Sequence, residues 1–289
     1  MQKRVSRLYL KISKITEVMN NLIIFNLNKV KSSYLYLPVL MLVLIATYLY
    51  LINAWSIDAY IQIQKEEFFF LNFKLSPYAI IQYNLTQFGD AFIILSFFTC
   101  FVIYAHKIWD ALITASLISP FLCLPFKWLF KVPRPAAVLD SNDFVIIGKA
   151  CLGSNSLPSG HAVTIFTVLT VLVLALMPRR TVVKIGWTTV VICMGMLVSL
   201  TRVGIGAHYP LDVIIGSVLG IISGILGILI NRRYKLWSWL TYKYYFFIFI
   251  ICIAVLISKI VDMHLPIFYF SLFSLFVSLL ILIKKYVKN

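Results

Sequence analysis

Charge is scarce in this sequence. Asp, Glu, Lys and Arg make up only 12% of its 289 residues, whereas hydrophobic residues make up 61%. Soluble domains carry about 25% charged and about 45–50% apolar residues. The composition therefore excludes a soluble globular protein, and it also excludes a disordered chain, which needs few apolar residues. We predict instead an all-α, polytopic membrane protein.

Cysteines and acidic residues are also few. Five cysteines, an odd number, do not suit a disulfide-stabilised secreted domain. Only ten Asp and Glu oppose 26 Lys and Arg, which leaves a formal net charge of +16. Such an excess often indicates nucleic-acid binding, but in a membrane protein the positive-inside rule explains it equally well. The positions of the charges distinguish the two explanations.

Eight apolar segments are candidate membrane spans. They are residues 36–52, 91–105, 111–126, 162–177, 185–200, 211–230, 244–258 and 265–283. If the N-terminus is cytoplasmic, 18 of the 26 basic residues and only two of the ten acids lie on the cytoplasmic side. The positive-inside rule favours this orientation, with both termini inside. We therefore expect a membrane partner and no nucleic acid.

The chain is predicted to have three parts. Residues 1–35 are basic, and their apolar residues recur at steps of three and four, which predicts an amphipathic helix on the cytoplasmic membrane surface. A merely basic tail is the alternative for this segment. Residues 36–231 form a six-span core, and residues 232–289 supply two additional spans.

The first polar cluster follows the third span. Lys127 and Arg134 are separated by six residues, and Pro135 comes next. Arg presents a planar pair of donors that suits phosphate oxygens, and Lys supplies a point charge. Two bases at a membrane edge are the alternative, but they are less expected on the base-poor outer side.

The second cluster, residues 155–161, enters the fourth span and ends with Pro158, Ser159, Gly160 and His161. Pro-Ser-Gly before an apolar run is typical of a helix start. The free N–H groups there and the Ser159 hydroxyl can bind phosphate, and Gly160 allows the anion to approach closely. Taken alone, the same residues could be a helix cap followed by an interfacial histidine.

The third cluster joins the fifth and sixth spans and contains Arg202, His208 and Asp212. If the helix begins by His208, then His208 and Asp212 lie four residues apart on one face. A carboxylate on one imidazole nitrogen leaves the other nitrogen free as a nucleophile. A lone pair of this kind would more often be structural, but the three clusters on one side of the membrane together indicate phosphoryl transfer.

These motifs resemble the signature of the type 2 phosphatidic acid phosphatase superfamily. That signature reads Lys-x6-Arg-Pro, then Pro-Ser-Gly-His, then Ser-Arg-x5-His-x3-Asp, and Thr201 here replaces its serine. The resemblance covers residues 127–212 and implies a hydrolase of phosphoric or diphosphoric esters. It implies that His208 attacks phosphorus and forms a phosphohistidine, that Asp212 orients it, and that His161 protonates the leaving oxygen and later activates water.

The same resemblance implies a phosphate-binding set and no metal or other cofactor. The set is Lys127, Arg134, Ser159, Gly160 and Arg202. Asp90, which follows Gly89 at the outer end of the second span, is expected to cap a helix.

The expected substrate is a phosphorylated lipid, because the clusters lie at span ends on the outer side. In a bacterium this is the periplasmic face of the inner membrane. Among the family's lipid substrates, undecaprenyl diphosphate is the first choice, and lipid A and phosphatidylglycerol phosphate are alternatives. Transfer of the phosphoryl group to an acceptor lipid is also open. A transporter or flippase is a remote alternative, because the polar clusters do not lie at the membrane midplane.

Overall fold

The fold is helical throughout the part of the chain that the structure describes. This computed structural model describes the backbone of residues 2–240 and 242–288 and the side chains of residues 16–240 and 244–284. Within those ranges there is no β-strand. The helices are α1 (Gln2–Lys29), α2 (Tyr36–Leu51), α3 (Ile57–Gln62), α4 (Lys65–Leu75), α5 (Ala79–Thr86), α6 (Ala91–Phe97), α7 (Cys100–Tyr104), α8 (His106–Phe130), α9 (Pro135–Val138), α10 (Gly160–Ala175), α11 (Thr181–Gly204), α12 (Pro210–Tyr234), α13 (Tyr242–Met263) and α14 (Pro266–Lys288).

Six helical stretches of the described residues are long and apolar enough to cross a membrane. They are Ser32–Leu51, His106–Val138, Thr181–Gly204, Pro210–Tyr234, Tyr244–Met263 and Pro266–Lys284. These stretches confirm the predicted class, an all-α polytopic membrane protein. A seventh predicted span is α10, whose 16 residues are fewer than the ~20 that usually cross a bilayer core.

The span predicted over residues 91–105 is not one continuous helix. It consists of α6 and α7, and the helix breaks between them. Serines of α14 bond backbone carbonyls of α6: Ser274 donates to the carbonyl of Phe97, at the break, over 2.7 Å, and Ser271 donates to that of Ile93, one turn earlier, over 3.3 Å. A broken helix is tolerated at membrane depth only where neighbours satisfy its backbone in this way.

Helices α10 and α12 pack closely against each other, and glycines allow the contact. A methyl group at Gly216 would lie 2.6 Å from the carbonyl oxygen of Ser159, and one at Gly220 would lie 2.5 Å from that of Val163. Neither position has room for a side chain, since both distances are below van der Waals contact. The glycines thus hold the first turns of α10 and α12 together, at the end of the bundle where the polar motifs lie.

The predicted N-terminal helix is present as α1, but part of it packs on the bundle. Ile23 and Leu27 are only 1% and 8% exposed and belong to the apolar core shared with α8 and α10. The basic residues that precede residue 16 lie outside the described side chains. The boundaries of the three predicted parts stay a prediction.

The last two helices pack against α6 and α7 through an apolar cluster that includes Phe249 and Phe268. Asp90 confirms the expected cap, because its side chain accepts hydrogen bonds from the N–H groups of Phe92 and Ile93 at the start of α6. Its second oxygen also bonds Lys259 of α13 over 2.9 Å. The sequence did not predict this ion pair between the core and the last two spans.

Candidate active site

The three predicted motifs meet at one end of the bundle. Helices α8 and α11 end there, and their neighbours α10 and α12 begin there. A backbone hydrogen bond from the N–H of Ser159 to the carbonyl of Asp212, 3.0 Å long, ties the second motif to the third. Because the chain reverses direction from one helix to the next, residues up to 85 positions apart, from Lys127 to Asp212, come together at this end.

His208 and Asp212 form the centre of this cluster. Nδ1 of His208 lies 3.5 Å from Oδ2 of Asp212, and the two side chains are 1% and 0% exposed. Asp212 occupies the first turn of α12, where its Oδ2 also accepts the N–H of Tyr209 over 3.0 Å. The predicted four-residue spacing thus brings the imidazole and the carboxylate together.

Two residues outside the predicted set complete the hydrogen bonds of the Asp212 carboxylate. Tyr60 of α3 donates its hydroxyl to Oδ1 over 2.8 Å, and Ser156 donates to Oδ2 over 2.5 Å. A fully buried carboxylate is costly unless donors compensate its charge. With the N–H of Tyr209, Asp212 has three such donors, so it can remain ionised beside His208.

Ser156 also contacts His208 directly. Its Oγ lies 3.3 Å from Nδ1 of the imidazole. Because the Ser156 hydroxyl donates a hydrogen bond to Asp212, its oxygen is free to accept a hydrogen bond from Nδ1–H of His208. This arrangement favours the tautomer with the proton on Nδ1 and leaves Nε2 with a lone pair.

The three predicted cations surround this pair. Nζ of Lys127 bonds the backbone oxygen of Asn155 over 2.7 Å, and Nε of Arg134 bonds the side-chain oxygen of the same residue over 2.8 Å. Arg202 is buried and donates from one terminal nitrogen to Thr86 over 2.9 Å. Asn155 and Thr86 thus position cations that the sequence had identified without their partners.

Burial and these cations set the protonation state of His208. Burial lowers the pKa of His208 well below its usual value, and the charges of Arg134, Arg202 and Lys127 lower that pKa further. A neutral imidazole at neutral pH is the nucleophilic form. Burial raises the pKa of Tyr60, and the Asp212 charge raises it further, so Tyr60 stays a phenol that can donate.

Two buried polar atoms in the cluster have no hydrogen-bond partner among the described residues. They are Oγ of Ser159 and Nε of Arg202. Buried polar groups in native proteins are nearly always satisfied, so unmatched donors next to further cations indicate a ligand that accepts hydrogen bonds. An oxyanion with several oxygens, such as a phosphoryl group, is complementary to them.

The remaining predicted residues are Gly160 and His161, in the first turn of α10. A methyl group added at Gly160 would meet no atom within 4 Å, so this position faces open space. A methyl group at Gly89 would lie 2.5 Å from Cβ of His161, so Gly89 makes room for that side chain. No group of three or more His, Cys, Asp and Glu side chains that could hold a metal ion occurs among the described residues.

Residues 109–235 match the model of the PAP2 superfamily, and the match contains all eight predicted site residues. Over this region the chain is similar to the PAP2 superfamily. This similarity supports a phosphatase, and the apolar helices indicate a multi-pass membrane protein. Among solved structures, the crystal structure of Aquifex aeolicus LpxE is similar, with 25% sequence identity over 58% of this chain and 95% of LpxE and a TM-score of 0.49. No curated protein matches the chain.

Several residues of this candidate site were missed from the sequence. Tyr60, Thr86 and Gly89 precede the matched region, and their types carry no catalytic signal. Asn155 and Ser156 are different, because they belong to the second cluster and lie directly before the Pro-Ser-Gly-His motif, but no role was predicted for them. Their position next to that motif was the only feature of the sequence that could have identified them as site residues.

Proposed function

We propose that this protein hydrolyses a phosphate or diphosphate lipid through a phosphohistidine at His208. The observation that carries the proposal is a buried, neutral imidazole with three cations around it and unmatched donors on Ser159 and Arg202. An imidazole nucleophile needs a lone pair, and the developing charge on phosphorus needs fixed positive groups. Both requirements are met at one point in the fold.

In the first step, Nε2 of His208 attacks phosphorus and a P–N bond forms while the bond to the leaving oxygen breaks. Asp212 and Ser156 stabilise the charge on the imidazole from the Nδ1 side. His161 gives a proton to the leaving oxygen. In the second step His161 takes a proton from water, the water oxygen bonds to phosphorus, and the P–N bond breaks to release phosphate.

The phosphoryl oxygens are held by Lys127, Arg134, Arg202, Ser159 and the backbone at Gly160. Ser159 and Gly160 open α10, where free N–H groups and the helix dipole favour an anion. Because these groups already balance the charge of the phosphoryl group, the proposed reaction requires no metal ion.

A lipid substrate is supported by an apolar cavity beside the site. It has a volume of about 300 Å³, and Tyr60 forms part of its wall, so it adjoins the residue that bonds Asp212. Its other walls include Leu49 of α2, Trp55 in the turn between α2 and α3, and Phe130 of α8. An alkyl or prenyl chain in this cavity would bring its phosphorylated head to His208.

We place the site on the periplasmic face of a bacterial inner membrane, since most basic residues fall at the opposite end. Undecaprenyl diphosphate is the leading substrate in this proposal, because an outward site suits recycling of that carrier. Lipid A and phosphatidylglycerol phosphate are the alternatives, and transfer to an acceptor lipid is the competing reaction.

Phosphate release by the purified protein in detergent with EDTA tests the proposal. The panel contains undecaprenyl diphosphate, lipid A, phosphatidylglycerol phosphate and phosphatidic acid, each with and without an acceptor lipid. We expect release that His208→Ala abolishes and that His106→Ala, an exposed histidine at the far end of α8, leaves unchanged. Release that survives His208→Ala would contradict the mechanism, and release that requires the acceptor would favour transfer.

A further inference from the structure

A second large cavity lies at the opposite end of the bundle from the candidate active site. It has a volume of about 880 Å³ and lies where the second half of α1 meets the end of α10 and the start of α11. Helix α10 begins at the active site, whereas Leu174 and Met177 near its other end line this cavity. Sixteen helical residues at 1.5 Å each separate the two by about 24 Å. We name this second site the basic cavity.

The basic cavity is lined by three cations and by no acidic side chain. The cations are Lys29, Arg179 and Lys184. The three ion pairs among the described side chains all involve other residues. Cations gathered without a protein counter-charge repel one another, so an anionic ligand would stabilise the cluster.

The cations lie beside apolar surface. Nζ of Lys29 is 4.1 Å from the ring centre of Phe25, and the guanidinium of Arg179 is 5.9 Å from the same ring. Leu174 and Ile185 continue the apolar wall, and Ile185 is 65% exposed. The wall thus offers positive charge and open hydrocarbon side by side, which matches an amphiphile with an anionic head.

Polar contacts fix the walls of the basic cavity. The side-chain amide of Asn26 donates to the carbonyls of Ala175 and Met177 over 3.0 and 2.9 Å. Arg232 of α12 donates to the carbonyl of Asn28, in the last turn of α1, over 2.9 Å and to that of Val30, just past its end, over 2.8 Å. Helix α1 is thereby held against α10 and α12, so the cavity exists before any ligand binds.

We propose that the basic cavity binds an anionic phospholipid of the leaflet at this end of the bundle. The lipid phosphate lies among Lys29, Arg179 and Lys184, and an acyl chain runs along Phe25 and Ile185. Basic pockets between membrane helices on the cytoplasmic side are suited to such headgroups. The bound lipid is not a substrate, because this cavity and His208 lie at opposite ends of α10. It joins α1 to α10 and α11 and so stabilises the docked N-terminal helix.

Lipid binding by the full-length protein in neutral detergent tests this proposal. Native mass spectrometry gives the affinity for dioleoylphosphatidylglycerol and for dioleoylphosphatidylcholine, and thermal unfolding gives the stabilisation by each lipid and by inorganic phosphate. The cavity variant combines Lys29→Gln, Arg179→Gln and Lys184→Gln. The matched control combines Lys31→Gln, Arg180→Gln and Arg233→Gln, which remove the same charge from exposed residues outside the cavity.

Wild type and control should bind phosphatidylglycerol at least about 10-fold more tightly than phosphatidylcholine, and the cavity variant should lose this preference. Phosphatase activity in detergent shows whether the cavity variant is folded, because the substituted residues lie far from His208. An unchanged preference in a folded cavity variant would overturn the proposal. Equal stabilisation by inorganic phosphate would also overturn it, because the site would then take a free anion rather than a lipid.

Discussion

The hydroxyl of Tyr60 donates a hydrogen bond to the carboxylate of Asp212 over 2.8 Å, although 152 residues separate the two in sequence. Tyr60 lies on the short helix α3, between the first two passes of the chain, and it is 5% exposed. The bond places a residue from outside the matched region on the carboxylate that orients His208 in the proposed mechanism. It also links the apolar cavity, which Tyr60 lines, to the site of reaction.

Tyr60→Phe removes this bond and keeps the ring. A hydrogen bond to a charged group contributes about 1.5–3 kcal/mol, so we expect kcat to fall by roughly 10-fold or more while KM changes little. Steady-state kinetics on the preferred lipid measures both. Tyr50→Phe is the control, because Tyr50 is 70% exposed. A lower melting temperature with unchanged kcat would show that Tyr60 is only structural.

Ser156→Ala removes the hydroxyl between His208 and Asp212. The imidazole then loses its nearer acceptor and the carboxylate loses a donor, so the Nδ1–H tautomer is less favoured. We expect single-turnover phosphorylation of the protein to slow by about 10-fold. Ser154→Ala, at an exposed neighbour, should react at the wild-type rate. Equal rates for the two variants would remove Ser156 from the mechanism.

Gly89→Ala tests the packing around His161. The added methyl would lie 2.5 Å from Cβ of His161, so the ring must move. Displacement of a catalytic group by about 1 Å can cost about 100-fold in rate. Gly186→Ala is the matched control, since a methyl there meets no atom within 4 Å. Wild-type kcat for Gly89→Ala would show that His161 does not take part as proposed.

The pH dependence follows from the lowered pKa of His208. The unfolded chain binds a proton at this histidine below about pH 6.5, whereas the folded protein does not, so this histidine's contribution to stability falls as pH drops below that value. The nucleophile stays neutral over the same range, so the acid limb of kcat/KM should lie below pH 6.5.

Loss of a cation next to His208 should shift the acid limb of the kcat/KM profile to higher pH. Lys127→Gln removes one of the charges that lower the pKa of His208, so the acid limb should shift to higher pH. Lys149→Gln removes an exposed charge from the outer loop and should leave the limb in place. A shift to lower pH with Lys127→Gln would contradict the stated electrostatics.

Sequence reasoning found the motif residues because each motif is local. His208 and Asp212 lie four residues apart, and Lys127 and Arg134 fall within one short segment. It missed Tyr60 and Thr86 because their contacts depend on how distant segments pack. The break between α6 and α7 was missed for the same reason, since Ser271 and Ser274 of α14 satisfy its backbone. An apolar run predicts a helix but does not reveal partners about 180 residues away.

The most direct measurement is identification of the phosphorylated residue. The protein is mixed with substrate labelled at the terminal phosphate, quenched at alkaline pH within milliseconds, and mapped by mass spectrometry. We predict acid-labile, alkali-stable label on His208 that is absent in His208→Ala and that, once formed, decays more slowly in His161→Ala, which cannot activate water. Label on another residue, or undiminished turnover without His208, would contradict the proposed mechanism.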